Sequence, residues 1–333
     1  MERVLVIQTA FLGDAILGTA LLERIHANNP EAQIDYLVRK GNESLFVGHP
    51  FLNSVFTFDK SRKFSELVRL GKLIRRRQYA VVYNAQRFAS SGMLTAISGA
   101  KQTVGYANNP LSFLFSKRVE HRMGLAFSQV HEVDRLLDLC FEANGAVRGL
   151  PKLYPTDEDE NAVKTFATGV YVTIAPASVW FTKQWPENKW KELIDALPTA
   201  MKIYLIGGQS DGELCNRIAS TSTKDVVVLC GKLSLLQTAA LMQKAKMNYA
   251  NDSGPVHLAS AVNAPMVAVY CSTIPGFGFT PLSSLSFSFE TNEKLDCRPC
   301  GIHGHKACPK KHFNCAQTID SKLIAKTTLG DLI

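Results

Sequence analysis

Apolar and polar positions follow one another along this chain in blocks typical of alternating strands and helices. Residues 4–8 are an apolar run, as expected of a strand buried on both faces. From residue 15 to 27 the apolar positions recur every three or four residues, which predicts a helix. The alternation continues and predicts strands at residues 33–38, 55–58 and 79–84 and helices at residues 64–75 and 129–144.

The same alternation restarts after an acidic, proline-led stretch at residues 155–160, which is typical of a linker or a helix start. The second half predicts strands at residues 171–175, 201–206, 226–229, 247–250 and 266–270 and helices at residues 189–196 and 235–244. Strands that alternate with helices form parallel sheets covered on both faces. We therefore expect an α/β protein with a first domain at residues 1–154, a linker at 155–168 and a second domain at 169–333.

Length and composition agree with two globular domains. A chain of 333 residues is too long for one ordinary core, and 46% of its residues are hydrophobic and 20% charged. The sequence contains no apolar run of the roughly 18 residues that span a bilayer. The first residues enter a strand without the cleavage pattern of a signal peptide, so we expect a cytoplasmic location.

The formal charge of +8 is concentrated in the first domain. Residues 1–150 contain 19 Lys and Arg against 13 Asp and Glu, whereas the remaining residues contain 18 against 16. A basic first domain suggests an anionic partner, which could be a phosphorylated substrate, an acidic membrane surface or a nucleic acid. The alternative is a solvated helix face, above all for the three arginines at residues 75–77.

The most informative motif is Asn-Asp-Ser-Gly at residues 251–254, between a predicted strand and a helix of small residues. Asp252 and Ser253 stand in a turn that presents backbone N–H groups and a helix N-terminus, which suits a phosphate or pyrophosphate. Gly254 would let the ligand approach the backbone, and His257 could reach a phosphate or ribose. In the alternative interpretation Ser253 is an N-cap and His257 is a packed core residue.

A second candidate is the loop at residues 175–186, which follows the first strand of the second domain. Ser178 and Thr182 carry hydroxyls that could bind phosphate oxygens, and Lys183 supplies a cation. The loop also contains Trp180 and Trp185. The alternative is that both Trp side chains cover the core and that Lys183 is solvated.

Asp14 is the candidate in the turn after the first strand. This turn contains only Gly13 and does not match the Gly-x-Gly-x-x-Gly fingerprint, which disfavours a dinucleotide dehydrogenase. At the start of a helix, Asp14 could act as a general base that takes a proton from an acceptor hydroxyl. The alternative is that Asp14 is a helix N-cap.

Four of the eight cysteines lie in one segment, at Cys297, Cys300, Cys308 and Cys315, with three histidines among them. In a cytosolic chain this spacing favours a structural metal site over a disulfide framework, although the last two intervals are irregular for a zinc ribbon. Zinc, disulfides and free thiols all remain open. The other cysteines stand in apolar runs and are expected to be core thiols: Cys140, Cys215, Cys230 and Cys271.

Three segments together resemble glycosyltransferase family 9, the ADP-heptose:lipopolysaccharide heptosyltransferases. They are Val-Ile-Gln-Thr-Ala-Phe-Leu-Gly-Asp-Ala-Ile-Leu at residues 6–17, the loop at residues 175–186, and Asn-Asp-Ser-Gly-Pro-Val-His-Leu-Ala at residues 251–259. Their order and separation match the family over nearly the whole chain. Ala177 is a mild departure, because Gly is commoner in the family at that position.

The resemblance implies a GT-B fold, in which two Rossmann-like domains face each other across a central cleft. It implies transfer of heptose from ADP-heptose to the inner core of lipopolysaccharide, with inversion at the anomeric carbon. Asp14 matches the family's proposed base, Lys183 matches the lysine that contacts the donor phosphates, and the 252–257 turn matches the donor-binding turn.

The implied acceptor is polyanionic, which agrees with the basic first domain, and we expect Lys60, Arg62 and Lys63 to bind it. The expected partners are an ADP-sugar, lipopolysaccharide and the cytoplasmic face of the inner membrane as a peripheral contact, with no nucleic acid. No Asp-x-Asp pair stands where a nucleotide-sugar metal would bind, so the transfer is expected to use no metal and no cofactor.

Two other classes of function remain as alternatives. A sugar-nucleotide epimerase of the same architecture would share the Asp-Ser-Gly turn, but it would leave the basic first domain unexplained. A nucleic-acid-binding protein could use the Cys/His segment, but the basic residues are concentrated in the other half of the chain.

Overall fold

Each half of the chain folds around a six-stranded parallel sheet with helices. The computed structural model describes residues 2–124, 126, 128, 130–140 and 149–329. The chain divides into two units, Met1–Tyr154 and Pro155–Ile333, which are described in turn.

The first unit contains six strands and five helices among its described residues. In chain order these are β1 (Arg3–Gln8), α1 (Leu12–Leu17), α2 (Thr19–Asn28), β2 (Gln33–Arg39), β3 (Leu52–Phe58), α3 (Lys63–Arg77), β4 (Val81–Asn84), α4 (Ala89–Ala96), β5 (Gln102–Tyr106), β6 (Lys117–Val119) and α5 (Glu132–Leu137).

The second unit contains six strands and seven helices among its described residues. In chain order these are α6 (Asp157–Val163), β7 (Tyr171–Ala175), α7 (Glu187–Ala196), β8 (Lys202–Leu205), α8 (Gly212–Ser220), β9 (Val226–Val228), α9 (Leu235–Lys244), β10 (Met247–Asn251), α10 (Gly254–Ala261), β11 (Met266–Tyr270), β12 (Ser286–Glu290), α11 (Asn314–Gln317) and α12 (Ser321–Leu329).

Both sheets have the same strand order. The first runs β3-β2-β1-β4-β5-β6 and the second β12-β11-β10-β7-β8-β9, so each has its first and fourth strands side by side at the centre. This is the doubly wound order of Rossmann-like domains, in which ligands bind beyond the carboxyl ends of the two central strands. The predicted α/β class with two Rossmann-like domains is confirmed.

Two predicted helices differ from the observed ones. The helix predicted at residues 15–27 is broken at Gly18, where a side chain would collide with the hydroxyl of Tyr36. That hydroxyl donates to the backbone oxygen of Ala15 at 2.9 Å, so α1 ends against a buried tyrosine. The helix predicted at residues 129–144 is shorter, because α5 ends at Leu137; residue 129 and residues 141–144 lie outside the described part of the chain.

The segment 155–168, predicted as a linker, contains helix α6 and belongs to the second unit. Thr156 caps this helix, since its hydroxyl accepts the N–H of Asp159 at 3.2 Å while the Asp159 carboxylate accepts the N–H of Thr156 at 3.0 Å. Such a capping box stabilises a helix start by satisfying two amide donors. Val163 is buried, which attaches the helix to its unit.

The core of the second unit includes Trp185, a residue of the candidate loop. Its ring meets that of Trp190 edge to face with centroids 5.0 Å apart, and its indole N–H donates to the backbone oxygen of Ala316 at 3.0 Å. Edge-to-face pairs of this kind contribute about 0.5–1.5 kcal/mol beyond the burial of area. Trp185 therefore covers the core, as the alternative interpretation held, and fixes one end of the loop.

Candidate functional site

The predicted donor residues of the second unit lie beyond the two central strands of its sheet. Strand β7 is followed by the loop at residues 176–186, and β10 is followed directly by Asp252 and Ser253. Because β7 and β10 are neighbours in parallel register, both segments leave the sheet at the same edge. This is the position at which doubly wound sheets bind ligands.

Lys183 and Asp252 form an ion pair that joins the two segments. The ammonium Nζ lies 2.7 Å from Oδ2 of Asp252, and the side chains are 15% and 9% exposed. Thr273 Oγ1 also donates to Oδ2, at 2.8 Å. The charge on Asp252 is therefore compensated by a cation and a hydroxyl, as a mostly buried carboxylate requires. Lys183 is held at the turn, contrary to the alternative that it is solvated.

Asn251 fixes the same loop and was missed in the sequence analysis. Its Oδ1 accepts the backbone N–H of Trp185 at 2.8 Å, and its Nδ2 donates to the backbone oxygen of Pro176 at 2.7 Å. One buried amide thus holds both ends of the loop against the end of β10. The position of Asn251 in the Asn-Asp-Ser-Gly motif could have predicted this role. A buried Asn at the end of a strand needs hydrogen-bond partners for both its amide oxygen and its amide nitrogen.

Thr182 and Ser178 have different environments in this loop. Thr182 is buried, and its Oγ1 accepts the backbone N–H of His305 at 2.7 Å and the hydroxyl of Ser272 at 3.0 Å. These contacts tie the loop to neighbouring segments. Ser178 is half-buried, and its backbone oxygen accepts Nε2 of Gln184 at 2.6 Å. Contacts of the two hydroxyls with phosphate stay predictions.

The turn leads into α10 with Ser253 at the N-cap position. The side chain of Ser253 does not cap the helix; its hydroxyl donates instead to the backbone oxygen of Asn251 at 3.1 Å. Gly254 and Pro255 then begin the helix, where early amides and the helix dipole favour an anion. His257 is buried, and its ring lies edge to face with that of Phe279, with ring centroids 6.4 Å apart. Its packing agrees with the core interpretation, while a contact with ligand stays a prediction.

In the first unit, Asp14 is not the N-cap of its helix. Helix α1 begins at Leu12 with Phe11 as N-cap, so Asp14 occupies the third helical position and the N-cap alternative is wrong. The backbone N–H of Phe11 donates to Oδ2 of Asp14 at 3.2 Å. The Asp14 carboxylate therefore accepts a backbone N–H that has no partner within the helix. The side chain is half-exposed and lies beyond the end of the central strand β1.

Cations and exposed aromatic rings surround Asp14. The guanidinium carbon of Arg39 lies 5.3 Å from the ring centroid of Phe11, and Nζ of Lys60 lies 5.8 Å from the ring centroid of Phe88. Burial lowers the pKa of Lys60, and the charge of Arg39 lowers it further, whereas the charge of Asp14 raises it. Phe11 and Phe88 are 54% and 57% exposed, so both rings are available to a ligand. Sequence analysis missed Arg39 and Phe88, because separate chain segments supply them, and it assigned no role to Phe11, which stands three residues before Asp14.

Lys60, Arg62 and Lys63 follow strand β3 at the carboxyl edge of the first sheet. Lys60 and Arg62 lie in a short 3-10 helix that Asp59 caps by accepting the N–H of Ser61 at 2.9 Å, and α3 begins at Lys63. Arg62 and Lys63 are exposed. The structure brings Lys60 into the electrostatic environment of Asp14, and the other two residues extend the positive charge along this edge.

A buried carboxyl also lies in the electrostatic environment of Asp14. Burial raises the pKa of Glu132 to about 7; the charge of Asp14 adds to the rise, and Arg135, paired with Glu132 at 2.8 Å, opposes it. Arg135 stabilises the charged form of Glu132, whereas burial destabilises that form and raises the pKa of Glu132 towards neutral pH. The charge of Asp14 therefore reaches the buried carboxyl of Glu132, although burial is the main cause of the raised pKa.

Comparison with known proteins identifies the family of this chain. The family model described as glycosyltransferase family 9 (heptosyltransferase) matches residues 67–307. Lipopolysaccharide heptosyltransferase 3 of Escherichia coli is 25% identical over 79% of this chain and 82% of its own length, and lipopolysaccharide heptosyltransferase 1 of Pseudomonas aeruginosa is 27% identical over 83% and 80%.

Solved structures show the same fold. A glycosyltransferase family 9 protein from Veillonella parvula superposes with a TM-score of 0.84 at 19% identity, covering 99% of this chain and 98% of that one. An E. coli heptosyltransferase solved with ADP gives a TM-score of 0.75 at 20% identity, covering 99% and 100%. The fold is therefore GT-B. With a family model matching well over half of its length, the chain belongs to glycosyltransferase family 9, the heptosyltransferases.

Proposed function

We propose that this protein transfers heptose from ADP-heptose to the inner core of lipopolysaccharide, with inversion at the anomeric carbon. The observation that carries the proposal is the Lys183–Asp252 pair, 2.7 Å long, at the ligand-binding edge of the second sheet in a heptosyltransferase-family chain. Support for the substrates comes from relatives that are lipopolysaccharide heptosyltransferases and from a structural neighbour solved with ADP.

The donor diphosphate would bind between Lys183 and the start of α10. An ammonium has three N–H donors, and the one directed at Asp252 leaves two for phosphate oxygens. The first amides of α10 and its dipole add to the attraction. Because these groups are already in place, they would stabilise the negative charge that develops on ADP as it leaves.

Asp14 would act as the general base. The acceptor hydroxyl gives its proton to the Asp14 carboxylate while its oxygen attacks the anomeric carbon. The bond between that carbon and the diphosphate oxygen breaks on the opposite face, which inverts the configuration. The N–H of Phe11 holds Oδ2 of Asp14 and so fixes the orientation of the base.

The acceptor would bind at the carboxyl edge of the first sheet. Lys60, Arg62 and Lys63 supply positive charge for a polyanionic acceptor, and Phe11 and Phe88 offer exposed rings that can lie against sugars. In the described residues no helix has the length and apolar character required to cross a bilayer. We propose peripheral contact with the cytoplasmic face of the inner membrane because a lipopolysaccharide acceptor would be presented there.

Membership of a glycosyltransferase family favours transfer over the epimerase and nucleic-acid alternatives. The deciding experiment incubates the protein with ADP-heptose, with and without lipopolysaccharide truncated before the inner-core heptoses. Acceptor-dependent ADP release and a heptosylated product are expected, with the anomeric configuration determined by NMR. Epimerised nucleotide sugar without transfer, or a retained configuration, would contradict the proposal.

A further inference from the structure

Four cysteines of the second unit line a single cavity. Its volume is about 320 Å³, and its walls are formed by Cys297, Pro299, Cys300, Gly301, His305, Cys308, Pro309, Lys310, His312 and Cys315. All four are free thiols. The donor and acceptor chemistry proposed above uses none of them, so this segment of residues 297–315, the cysteine segment, needs its own explanation.

The backbone around the cysteine segment lacks regular structure. Between the end of β12 at Glu290 and the start of α11 at Asn314 there is neither helix nor strand in these fully described residues. Irregular loops longer than roughly 12–15 residues are uncommon in compact domains unless they have a function. Lys311 and Phe313 also adopt positive φ values of 61° and 49°, which cost energy in residues with a side chain. Such a segment requires an anchor.

Arg298 is one anchor, and it acts on one end only. Its Nε donates to the backbone oxygen of Cys271 at 2.7 Å, its Nη2 donates to that of Thr273 at 2.6 Å, and it pairs with Glu290 at 2.6 Å. These contacts place Cys297 and Cys300 beside the carboxyl end of β11. The portion with Cys308 and His312 is largely exposed and has few such contacts.

The four cysteines line the same cavity as two histidines, and one of the sulfur atoms lies close to an imidazole. Cys297 Sγ is 3.7 Å from Nε2 of His312. Within the described residues no three His, Cys, Asp or Glu side chains already surround one point as metal ligands do. The four thiols do, however, share the walls of one cavity.

We propose that Cys297, Cys300, Cys308 and Cys315 bind one zinc ion as a structural, four-thiolate site. The Cys-x-x-Cys pair supplies two ligands from one turn, and Cys308 and Cys315 supply the others, as in tetrahedral zinc sites. Each thiol releases one proton on binding, which gives the site a net charge of −2. The ammonium of Lys310, which lines the cavity, would offset part of that charge.

The cysteine segment is attached to the loop at residues 176–186, here called the donor loop, so the zinc ion would also stabilise Lys183. The N–H of His305 donates to Thr182 Oγ1 at 2.7 Å, and the N–H of Thr182 donates to the oxygen of His305 at 3.1 Å. A side chain at Gly304 would come within 2.7 Å of Thr182 Oγ1, which shows how closely the segments pack. Zinc binding is independent of the proposed function; only this effect on the donor loop rests on it.

The test uses the full chain, purified under reducing conditions without a metal-affinity tag. Elemental analysis should find about one zinc per chain. Metal-free reduced protein titrated with cobalt(II) should show the intense near-ultraviolet charge-transfer band and the visible bands of tetrahedral thiolate coordination. Cys308→Ser should lose both signals, whereas Cys230→Ser, a half-buried cysteine of the same unit outside the cavity, should retain them.

The proposed site is refuted if wild-type protein binds no more zinc or cobalt than Cys308→Ser does. Disulfides among these cysteines in protein isolated under reducing conditions would also overturn it. The titration of wild-type protein decides the matter even if Cys308→Ser does not fold. Removal of zinc should raise the Kd for ADP severalfold; unchanged ADP affinity in a zinc-binding protein would refute only the coupling to the donor loop.

Discussion

Lys183 Nζ and Asp252 Oδ2 lie 2.7 Å apart, although the two residues belong to different loops of the second unit. The pair determines what each residue can do. The carboxylate of Asp252 contacts Lys183 and Thr273, and the ammonium of Lys183 is held at the turn before α10 instead of extending into solvent. A pair with both side chains mostly buried is strongly coupled, so removal of either member affects stability as well as binding.

Lys183→Met should weaken ADP binding by about 1.5–3 kcal/mol, because a charge-assisted contact with the diphosphate is lost while the side-chain volume is kept. Isothermal titration with ADP measures the effect at a temperature where the variant is folded. Lys189→Met is the matched control, because Lys189 pairs with Glu192 at 3.0 Å on helix α7. Equal ADP affinity in wild type and Lys183→Met would assign the lysine a structural role only.

Asp14→Asn should reduce kcat by roughly 10²–10⁴-fold, because the amide cannot accept the acceptor proton. Its oxygen can still accept the N–H of Phe11, so α1 and the thermal midpoint should be preserved. ADP affinity should not change either. Single-turnover kinetics with saturating donor would measure the step directly, and turnover within a few-fold of wild type would exclude Asp14 as the base.

Asn251→Ala should raise the Kd for ADP severalfold, because the donor loop loses the side chain that holds both of its ends. The orphaned backbone groups should also lower the free energy of unfolding by about 1–3 kcal/mol. Asn248→Ala is the control. Asn248 is a buried amide of the same strand that accepts the hydroxyl of Thr173 at 2.6 Å. The Asn248→Ala variant should lose a comparable free energy of unfolding and keep its ADP affinity. If Asn248→Ala loses as much ADP affinity as Asn251→Ala, general destabilisation is responsible.

Charge reversal at Lys60, Arg62 and Lys63 should raise the acceptor KM on the order of tenfold and leave the donor KM unchanged, because the cluster faces an anionic acceptor. The matched control reverses three exposed cations that lie towards the opposite edge of the same sheet, at Lys72, Arg76 and Lys101. The effect should shrink as salt rises. A similar rise in both KM values, or in the control variant, would contradict specific acceptor binding.

Acidification should destabilise the protein through His49. Burial lowers its pKa to about 4, with repulsion from His26 and Lys152 contributing, and neither ring nitrogen has a hydrogen-bond partner among the described residues. Between pH 6.5 and 4 the unfolded chain binds a proton that the folded chain does not. The free energy of unfolding therefore falls as pH decreases through this window.

His49→Phe should reduce the loss of thermal midpoint between pH 7 and pH 5. A phenyl ring fits the site, since the imidazole already packs edge to face against Phe51 at 4.5 Å and Tyr154 at 4.8 Å. His303→Gln, at an exposed histidine, should leave the pH dependence as in wild type. If the thermal midpoint of His49→Phe falls between pH 7 and pH 5 as much as that of the wild type, other groups account for the acid sensitivity.

Several elements could not be predicted from local pattern. Strand β6 (Lys117–Val119) has three residues, two of them cationic, so it carries no hydrophobic signal and forms only because β5 offers it a partner. The acidic stretch at residues 155–160 fitted a linker or a helix start equally well, and the structure shows a helix start, because a capping box and the burial of Val163 stabilise α6.

The sequence by itself determined the α/β class, the main buried strands and the segments with candidate chemistry. Buried parallel strands are nearly continuous apolar runs, and an Asp-Ser-Gly turn before a helix is a local feature. Only the tertiary structure decided that Lys183 meets Asp252 and that Arg39 covers Phe11. Those contacts depend on β7 lying beside β10 and β1 beside β2, and strand order is set by the packing of the whole sheet.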